Sequence, residues 1–258
     1  MTRPAEGRGR PLVLMYHGIG VRPGPADPYN LFVPAPALET QLRTLLDRGR
    51  RPLRLADYLL GRGDGRHFLV TFDDGFRSVH DEALPVLRRL DVPATVFVLP
   101  GVLGGASRWM PEMPAEPLLS AVQVLALHAA GLDIGLHGLD HAALPDLPPD
   151  RLQEQVQGAA DLLTGLTGQR PRAFAYPYGH HDRASRAAVA AAGFEVAFST
   201  HRSAGAFAVP RVDVNTTDSR ATFLAKTSPA YRPLRRLAGS VPGLRPAVRT
   251  LLGGRRTA

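Results

Sequence analysis

The stretch Phe68-Leu-Val-Thr-Phe-Asp-Asp-Gly75 carries the pattern from which the fold can be predicted. Residues 68–72 are apolar or β-branched, which predicts a buried β-strand. Two carboxylates and a glycine follow at once. Because side chains alternate along a strand, both acids can point into one pocket only where the strand has become a turn, which Gly75 permits. The stretch therefore predicts a buried strand that ends in a polar turn.

The same pattern recurs from Pro11 to about Thr200, where short apolar runs alternate with longer segments of helical periodicity. This alternation predicts parallel β-α-β units, so the fold class is α/β, as a barrel or a doubly wound sheet. In both architectures reactive side chains collect at the C-terminal ends of the strands. The predicted strands are Leu12–Tyr16, Phe68–Phe72, Ala94–Leu99, Leu132–Leu136, Ala173–Tyr176 and Glu195–Ser199. The predicted helices are Ala37–Arg48, Ser78–Leu90, Pro117–Ala130, Pro149–Leu166 and Arg183–Ala192.

The composition of the 258 residues limits the chemistry. A hydrophobic fraction of 44% is enough to bury the core of one large α/β domain or two small ones. The chain has no cysteine. A disulfide scaffold, a cysteine-ligated zinc site, an iron–sulfur cluster and a cysteine nucleophile are therefore excluded, and a metal would need histidine and carboxylate ligands.

The formal net charge of +8 is concentrated at one end of the chain. Residues 220–258 contain nine basic side chains and no acidic one, whereas the other 219 residues contain 22 basic and 23 acidic side chains. The body of the protein is thus nearly neutral and offers no case for a nucleic-acid partner.

Three segments are expected: a flexible N-terminus over residues 1–10, a folded domain over 11–219 and a basic tail over 220–258. The apolar run Pro11–Tyr16 is too short for the core of a signal peptide. No stretch approaches the roughly 20 apolar residues that a membrane helix needs. We therefore expect a cytoplasmic protein.

The basic tail contains an apolar stripe with arginines beside it, a pattern that suggests a peripheral membrane contact. Pro242 and Pro246 interrupt the stripe, so docking onto the domain or partial disorder is a second interpretation. The apolar residues are Leu234, Leu237, Val241, Leu244, Val248 and Leu251.

Asp73 and Asp74 are the first candidate site residues. Two close carboxylates repel each other unless a cation or a shared proton relieves the repulsion. The simpler interpretation is an exposed Asp-Asp-Gly turn.

His137 and His141 follow another predicted strand directly. Histidines four residues apart on a helical turn share a face and can bind one metal ion, although a solvated pair is the simpler interpretation. With one of the paired aspartates they make a two-histidine, one-carboxylate set. Such a set is typical of catalytic zinc and of non-haem iron sites.

Three further positions carry candidate functional groups. The turn Pro177-Tyr178-Gly179 follows a predicted strand and can present backbone N–H groups to a ligand, or it can be an ordinary tight turn. His17 follows the first strand. Trp109 lies in the long loop between Gly101 and Pro117, where stacking on a sugar competes with ordinary core packing.

Together these segments resemble the first three motifs of the polysaccharide deacetylase family, also known as the NodB homology or carbohydrate esterase 4 family. The resemblance extends from about Pro11 to Val214 and implies a distorted (β/α) barrel with fewer than eight strands. The motifs are Thr71-Phe-Asp-Asp-Gly75, His137-Gly-Leu-Asp-His141 and Phe174-Ala-Tyr-Pro-Tyr-Gly179.

The resemblance also implies a role for each matching residue. Asp73 becomes the general base, and Asp74, His137 and His141 become ligands of a divalent metal, usually zinc. The backbone N–H of Tyr178 stabilises the oxyanion, and the 177–179 turn binds substrate. The implied reaction removes an N-acetyl group from an N-acetylated sugar or glycan.

The sequence departs from the family pattern at three places. Gly138 stands where the second motif usually has Ser or Thr. Ala175 replaces the arginine that holds the catalytic aspartate. Arg211 and Arg172 are candidate substitutes, and Arg211 is favoured in this role over its interpretation as a surface charge. The usual C-terminal Leu-x-His motif is missing, and Leu14-Met-Tyr-His17 resembles the circularly permuted branch, in which His17 would be the general acid.

Two other interpretations stay open at this point. Ala175 and the displaced histidine motif allow a catalytically silent carbohydrate-binding domain. The two-histidine, one-carboxylate set also fits a non-haem iron oxygenase, although the second aspartate suits hydrolysis better.

Overall fold

The computed structural model describes residues 9–22, 26–200 and 203–231. Strands and helices alternate along this part of the chain. The strands are β1 (Leu12–Tyr16), β2 (Gly18–Ile19), β3 (Phe32–Val33), β4 (Arg51–Pro52), β5 (His67–Phe72), β6 (Ala94–Val98), β7 (Asp133–Leu136), β8 (Ala173–Ala175), β9 (Val196–Ser199), β10 (Val209–Pro210) and β11 (Val212–Asp213). The helices are α1 (Ala35–Asp47), α2 (Leu55–Leu59), α3 (Leu84–Leu90), α4 (Ala121–Ala129), α5 (Pro149–Gln153), α6 (Ala159–Thr167), α7 (Arg183–Ala191) and α8 (Arg220–Lys226).

The main sheet is parallel throughout, with the strand order β10-β9-β8-β7-β6-β5-β1-β11 and the short β4 also paired with β5. Its two end strands, β10 and β11, are separated in the chain by Arg211 alone. The sheet therefore curls into a nearly closed parallel barrel whose seam lies at this residue. The predicted α/β barrel is confirmed.

The strand count differs from the prediction of fewer than eight, because eight strands lie on the path around the barrel. The prediction missed β4, β10 and β11, which have two residues each and are too short to produce an alternating pattern. The six longer predicted strands and the five predicted helices are all present.

Alternation along the strands separates two apolar cores. On β5, Phe68, Val70 and Phe72 pack outward among the helices, whereas Leu69 faces the barrel interior. The helix α2 closes one end of the barrel with Leu55, Tyr58 and Leu59, so the polar groups gather at the other end, where the strands finish. The buried interior residues are Val13, Leu55, Leu69, Phe97, Ala173, Ala175, Val196 and Phe198.

Two helices contain π-helical turns. Residues Val79–Ala83 form one before α3, and residues Glu154–Gly158 form the other between α5 and α6. Each turn fits one extra residue into the helix and changes the direction in which the neighbouring side chains point. The second turn bears on the site described below.

The segment assigned from sequence to the basic tail begins with a helix that packs on the barrel. Phe223 of α8 is buried in the outer core, as is Tyr231. Lys226, the single lysine of the chain, is 1% exposed and its Nζ lies 2.8 Å from a carboxylate oxygen of Asp218. Packing against the outer core therefore continues past residue 219, where the sequence placed the start of the basic tail.

Some predictions concern residues outside the described ranges. These are most of the flexible N-terminus and the apolar stripe between residues 234 and 251. In the ranges that are described, no helix has both the length and the apolar character needed to cross a membrane.

Candidate active site

The paired aspartates end β5 in a turn that needs unusual backbone geometry. Asp74 and Gly75 both have positive φ, at 68° and 63°. The backbone N–H of Asp73 donates to the carbonyl of Tyr16 at the end of the neighbouring β1. Both aspartates are 3% exposed, so the exposed-turn interpretation is wrong. A non-glycine residue at positive φ costs of order 1–3 kcal/mol, a strain that often marks functional sites.

Asp74, His137 and His141 form one buried group. The Oδ1 atom of Asp74 lies 3.2 Å from Nε2 of His137 and 3.2 Å from Nε2 of His141. Their ligand atoms all lie within 4.8 Å of one another. Two ligands held about 2.1 Å from a tetrahedral ion stand roughly 3.4 Å apart, so these separations fit a divalent cation.

The tautomer of His137 also suits metal binding. Its Nδ1 lies 2.7 Å from the carbonyl oxygen of Ala175, which can only accept, so Nδ1 carries the proton. In the neutral ring Nε2 then keeps a lone pair directed at the group. A metal-binding histidine is commonly oriented by such a bond from its other nitrogen.

The two histidines do not lie on a helical turn as predicted. Residues 137–141 form an irregular loop after β7, in which Gly138 has φ 88° and His141 has φ 72°. These left-handed residues break the helical periodicity on which the prediction relied. The rings nevertheless converge on Asp74, because the loop folds back over the end of the barrel.

The loop is held from below by Gln155, a residue of the π-helical turn that the sequence analysis missed. Its Oε1 accepts from the backbone N–H of Leu139 at 2.9 Å, and its Nε2 donates to Oδ1 of Asp140 at 2.6 Å. Gln155 has no exposed surface. The signal in the sequence was a polar residue on a helix face that otherwise buries Leu152 and Val156.

Arg211, at the barrel seam, reaches Asp73. Its NH1 donates to Oδ1 of Asp73 at 2.7 Å and its NH2 to Oδ2 at 2.6 Å. NH1 also lies 3.1 Å from the hydroxyl of Thr71. The alternative candidate, Arg172, instead pairs with Glu195 at the surface. The structure thus brings Arg211, and not Arg172, to the aspartate.

Positive charge offsets the effect of burial on both carboxylates. Burial raises the pKa of Asp73, but the charges of Arg211 and His137 outweigh it and leave that pKa lowered. Burial likewise raises the pKa of Asp74, but hydrogen bonds to the two histidines hold it well below its usual range. Burial lowers the pKa of His141, whereas at His137 burial is outweighed by the charge of Asp73 and the hydrogen bond to Asp74, which leave the pKa raised. Two ionised carboxylates thus draw positive charge into the group, which a divalent cation can supply in place of a proton.

Aromatic rings enclose His141 on two sides. Trp109 stacks on its ring with centroids 4.4 Å apart, and Tyr178 meets it edge-on at 4.5 Å. The Tyr178 side chain is 40% exposed and its φ is 56°, within the turn between Pro177 and Gly179. The sequence predicted sugar stacking or core packing for Trp109. The structure shows a different contact, in which Trp109 stacks on the candidate metal ligand His141.

His17 follows β1, which pairs in register with β5. Because Tyr16 lies opposite Phe72, continuing the register places His17 beside Asp73. His17 is half-buried. The structure therefore gathers the candidate residues from β1, β5, β7 and β8 at one end of the barrel, as the parallel topology predicts.

A family model described as polysaccharide deacetylase matches residues 61–197, more than half of the chain. The chain belongs to the polysaccharide deacetylase family. The family indicated by the sequence motifs is thereby confirmed, whereas the circular permutation stays a prediction. Members of the polysaccharide deacetylase family are metal-dependent hydrolases of carbon–nitrogen bonds, and the Asp74, His137 and His141 group supplies ligands for such a metal.

Two curated relatives are similar in sequence to this family member. YxkH of Bacillus subtilis, named as a candidate polysaccharide deacetylase, is 26% identical over 221 residues, which cover 82% of this chain and 74% of YxkH. The poly-β-1,6-N-acetyl-D-glucosamine N-deacetylase of Staphylococcus epidermidis is 26% identical over 163 residues. That match covers 58% of this chain and 55% of the relative.

Two solved structures have a similar fold. IcaB from Ammonifex degensii superposes with a TM-score of 0.70 at 28% identity, covering 88% of this chain and 97% of IcaB. The deacetylase PplD of Streptococcus pyogenes superposes with a TM-score of 0.74, covering 86% of this chain and all of PplD. At 22% identity the second likeness concerns the fold alone.

Proposed function

We propose that this polysaccharide deacetylase family member removes N-acetyl groups from an N-acetylated sugar or glycan, and that its metal is Zn²⁺. The observation that carries the proposal is one buried cluster. Asp73 is held by Arg211 through two hydrogen bonds. The next residue, Asp74, faces a nitrogen of each of two histidines. Amide hydrolysis needs both a base and an electrophile.

The ligand set favours zinc among divalent metals. Three protein ligands of the His and carboxylate type leave positions open for water and substrate, as in catalytic zinc sites. Asp74, His137 and His141 would hold the cation, which would supply Lewis acidity to polarise an amide carbonyl and to lower the pKa of a water molecule to about 7.

Asp73 accepts the proton of the attacking water. Its two oxygens are fixed by the fork of Arg211, so the carboxylate presents its remaining lone pairs in one orientation. The lowered pKa of Asp73 keeps it ionised and ready to accept a proton at neutral pH.

The backbone N–H of Tyr178 donates to the oxyanion that forms on the carbonyl carbon, and the turn Pro177–Gly179 holds that N–H in place. His17 then gives a proton to the departing nitrogen. The carbon–nitrogen bond breaks, and acetate and a free amine leave. Water supplies the OH group of acetic acid and one hydrogen of the amine, and the acid then ionises to acetate.

The substrate is an N-acetylglucosamine-containing glycan in this proposal. The relative from S. epidermidis is named for poly-β-1,6-N-acetyl-D-glucosamine, which makes that polymer the first to test. Trp109 and Tyr178 flank the cluster, and aromatic side chains of this kind pack well against sugar rings.

The Asp73–Arg211 pair argues against both rival functions, the silent carbohydrate-binding domain and the non-haem iron oxygenase. The silent-domain interpretation rested on Ala175 and on the displaced histidine motif. Arg211, between β10 and β11, contacts Asp73 in place of the missing arginine. A non-haem iron oxygenase would have no catalytic role for the buried Asp73–Arg211 pair.

The test compares the zinc-loaded full chain with an Asp74→Asn variant. Zinc content is measured by elemental analysis, and acetate release is measured from β-1,6- and β-1,4-linked N-acetylglucosamine oligomers. We expect the wild type to bind one zinc and release acetate, and the variant to lose both properties. Unchanged zinc content and activity in Asp74→Asn would refute the proposal.

The location of the protein is a separate proposal. We propose a cytoplasmic enzyme that touches the membrane surface through residues 220–258 and has no nucleic-acid partner. Sedimentation with vesicles containing anionic lipid, compared between the full chain and a chain ending at Tyr231, tests the contact. Equal sedimentation of the two would count against it.

A further inference from the structure

Gln155 is a polar side chain in an apolar position. It belongs to the π-helical turn Glu154–Gly158, and its neighbours Leu152, Val156 and Ala159 are all buried in the outer core. The whole Gln155 residue is inaccessible to solvent. A buried amide costs free energy unless its hydrogen bonds are made, so its partners are the reason it can remain there.

Both partners of Gln155 lie between the two histidine ligands. The Oε1 atom accepts a hydrogen bond from the N–H of Leu139, and Nε2 donates one to the Oδ1 atom of Asp140. One amide thus binds the two successive residues that precede His141. This pair of hydrogen bonds needs one acceptor and one donor on the same planar group, which an amide has and an ionised carboxylate lacks.

The loop between the two histidines has an irregular backbone. Gly138 and His141 both have left-handed backbone conformations, which leave an irregular path between the ligands. The carbonyl of Leu139 accepts from the N–H of Gly101 on the opposite side. A Cβ atom added to Gly138 would lie 3.1 Å from Oε1 of Gln155, so the amide packs directly against the turn.

We infer that Gln155 is a positioning residue that holds His137 and His141 in the geometry required to bind the metal. The inference rests on the proposed function, because it assumes that these histidines bind a divalent cation. Residues that orient metal ligands typically contribute 10- to 100-fold to metal affinity. The helical segment from α5 to α6 is thereby coupled to the candidate metal ligands through the side chain of Gln155.

The sole tryptophan of the chain gives a direct optical readout. Trp109 stacks on His141, so a Co²⁺ ion bound there quenches its fluorescence without any need for substrate. The full chain is stripped with a chelator and titrated with Co²⁺, and Zn²⁺ affinity is obtained by competition. Thermal unfolding of each metal-free variant is measured in parallel.

The variants exchange donor and acceptor around the amide. Gln155→Glu keeps the acceptor for Leu139 but loses the donor to Asp140, and we expect metal affinity to fall at least tenfold. Asp140→Asn alone leaves an oxygen for Gln155 and should change affinity less than twofold. The double variant Asp140→Asn/Gln155→Glu restores a donor–acceptor pair with reversed polarity, and we expect most of the affinity to return.

A matched control lies in the same turn. Gln157 is half-buried and its Nε2 donates to Oδ1 of Asp161 in an exposed hydrogen bond, so Gln157→Glu should leave metal affinity unchanged. If Gln155→Glu binds metal as tightly as the wild type, or if the reversed pair fails to recover affinity in a folded protein, the inference is overturned. If the wild type itself binds neither Co²⁺ nor Zn²⁺, the proposed function fails instead.

Discussion

Arg211 and Asp73 face each other inside the barrel through two short hydrogen bonds, with the guanidinium 0% and the carboxylate 4% exposed at their side chains. The guanidinium carbon lies 5.7 Å from the ring centre of Phe97 and 5.8 Å from that of Phe198. The apolar interior thus supports the arginine from one side, and the carboxylate neutralises it on the other. This pair connects the core of the barrel to the proposed chemistry.

Replacing Arg211 should separate catalysis from metal binding. In Arg211→Lys a single ammonium cannot hold both carboxylate oxygens, so we expect kcat to fall roughly 100-fold while zinc content stays unchanged. Arg211→Met should also lose about 3–5 kcal/mol of unfolding free energy, because it leaves a buried carboxylate unpaired. Acetate release, elemental analysis and denaturant unfolding measure the three quantities. Arg172→Lys, at an exposed pair, is the control and should behave as wild type.

Substitutions of Asp73 and Asp74 should impair different properties of the enzyme. Asp73→Asn is expected to keep the metal and lose about 10²- to 10⁴-fold in kcat, because it removes the proton acceptor alone. Asp74→Asn is expected to lose the metal first. Zinc content and acetate release measured on the same samples distinguish the two. Equal loss of zinc in both variants would show that Asp73 is a ligand and not the base.

Gly138 should tolerate no side chain. In Gly138→Ala the new Cβ meets the Gln155 oxygen at 3.1 Å on a backbone with φ 88°, so we expect a loss of about 1–3 kcal/mol in stability and weaker zinc binding. Gly168→Ala is a matched control, because it has φ 72° with open space around it. The control should share the backbone cost and leave zinc affinity intact, as measured by chelator competition.

The buried pair of Lys226 and Asp218 should make stability depend on pH once the lysine is removed. Burial raises the pKa of Asp218 in spite of the charge of Lys226, and without that charge it rises further. An acid with a raised folded-state pKa loses stability as the pH climbs from its unfolded value to its folded value. Lys226→Met should therefore cost about 3–5 kcal/mol at neutral pH and much less below about pH 4.

A second substitution checks the cause. Adding Asp218→Asn to Lys226→Met removes the unpaired charge, so most of the stability at neutral pH should return and the pH dependence should flatten. Urea unfolding from pH 3 to pH 8 measures both effects. A pH-independent loss in Lys226→Met would mean that packing, and not charge, is responsible.

Truncation locates the end of the domain. A chain that stops after Tyr231 keeps α8 and should unfold at nearly the wild-type temperature with full acetate release. A chain that stops after residue 219 loses Phe223, which has 1% exposure, and exposes the outer core. We expect that shorter chain to be at least 3 kcal/mol less stable, on the scale of a deleted buried phenylalanine. Normal folding of the shorter chain would restore the boundary expected from sequence.

The longer strands and the acidic turn were predictable because their signals are local. An apolar run followed by Asp73 and Asp74 needs only a few neighbouring residues to be recognised. Arg211 was one of two candidate arginines, but it lies 138 positions from Asp73 in the chain, so the closed barrel was needed to choose it over Arg172. The loop of His137 and His141 was predicted wrongly, because left-handed φ at a histidine has no sequence signal.

Gln155 was missed for a related reason. Periodicity treats a polar residue on an apolar face as noise, and its partners at 139 and 140 belong to a different element. The π-helical turn that aims it inward is likewise invisible to a periodicity of 3.6 residues.

The position of Arg211 between β10 and β11 affects when the chain becomes active during its synthesis. During synthesis the ribosome releases Asp73, Asp74, His137 and His141 well before Arg211, and β1 waits for the partner that β11 provides at Val212. A nascent chain can thus carry every proposed metal ligand while its base is still unoriented. We expect catalytic competence to arise abruptly, with the last strand, because closing the wall and aligning the base are one event.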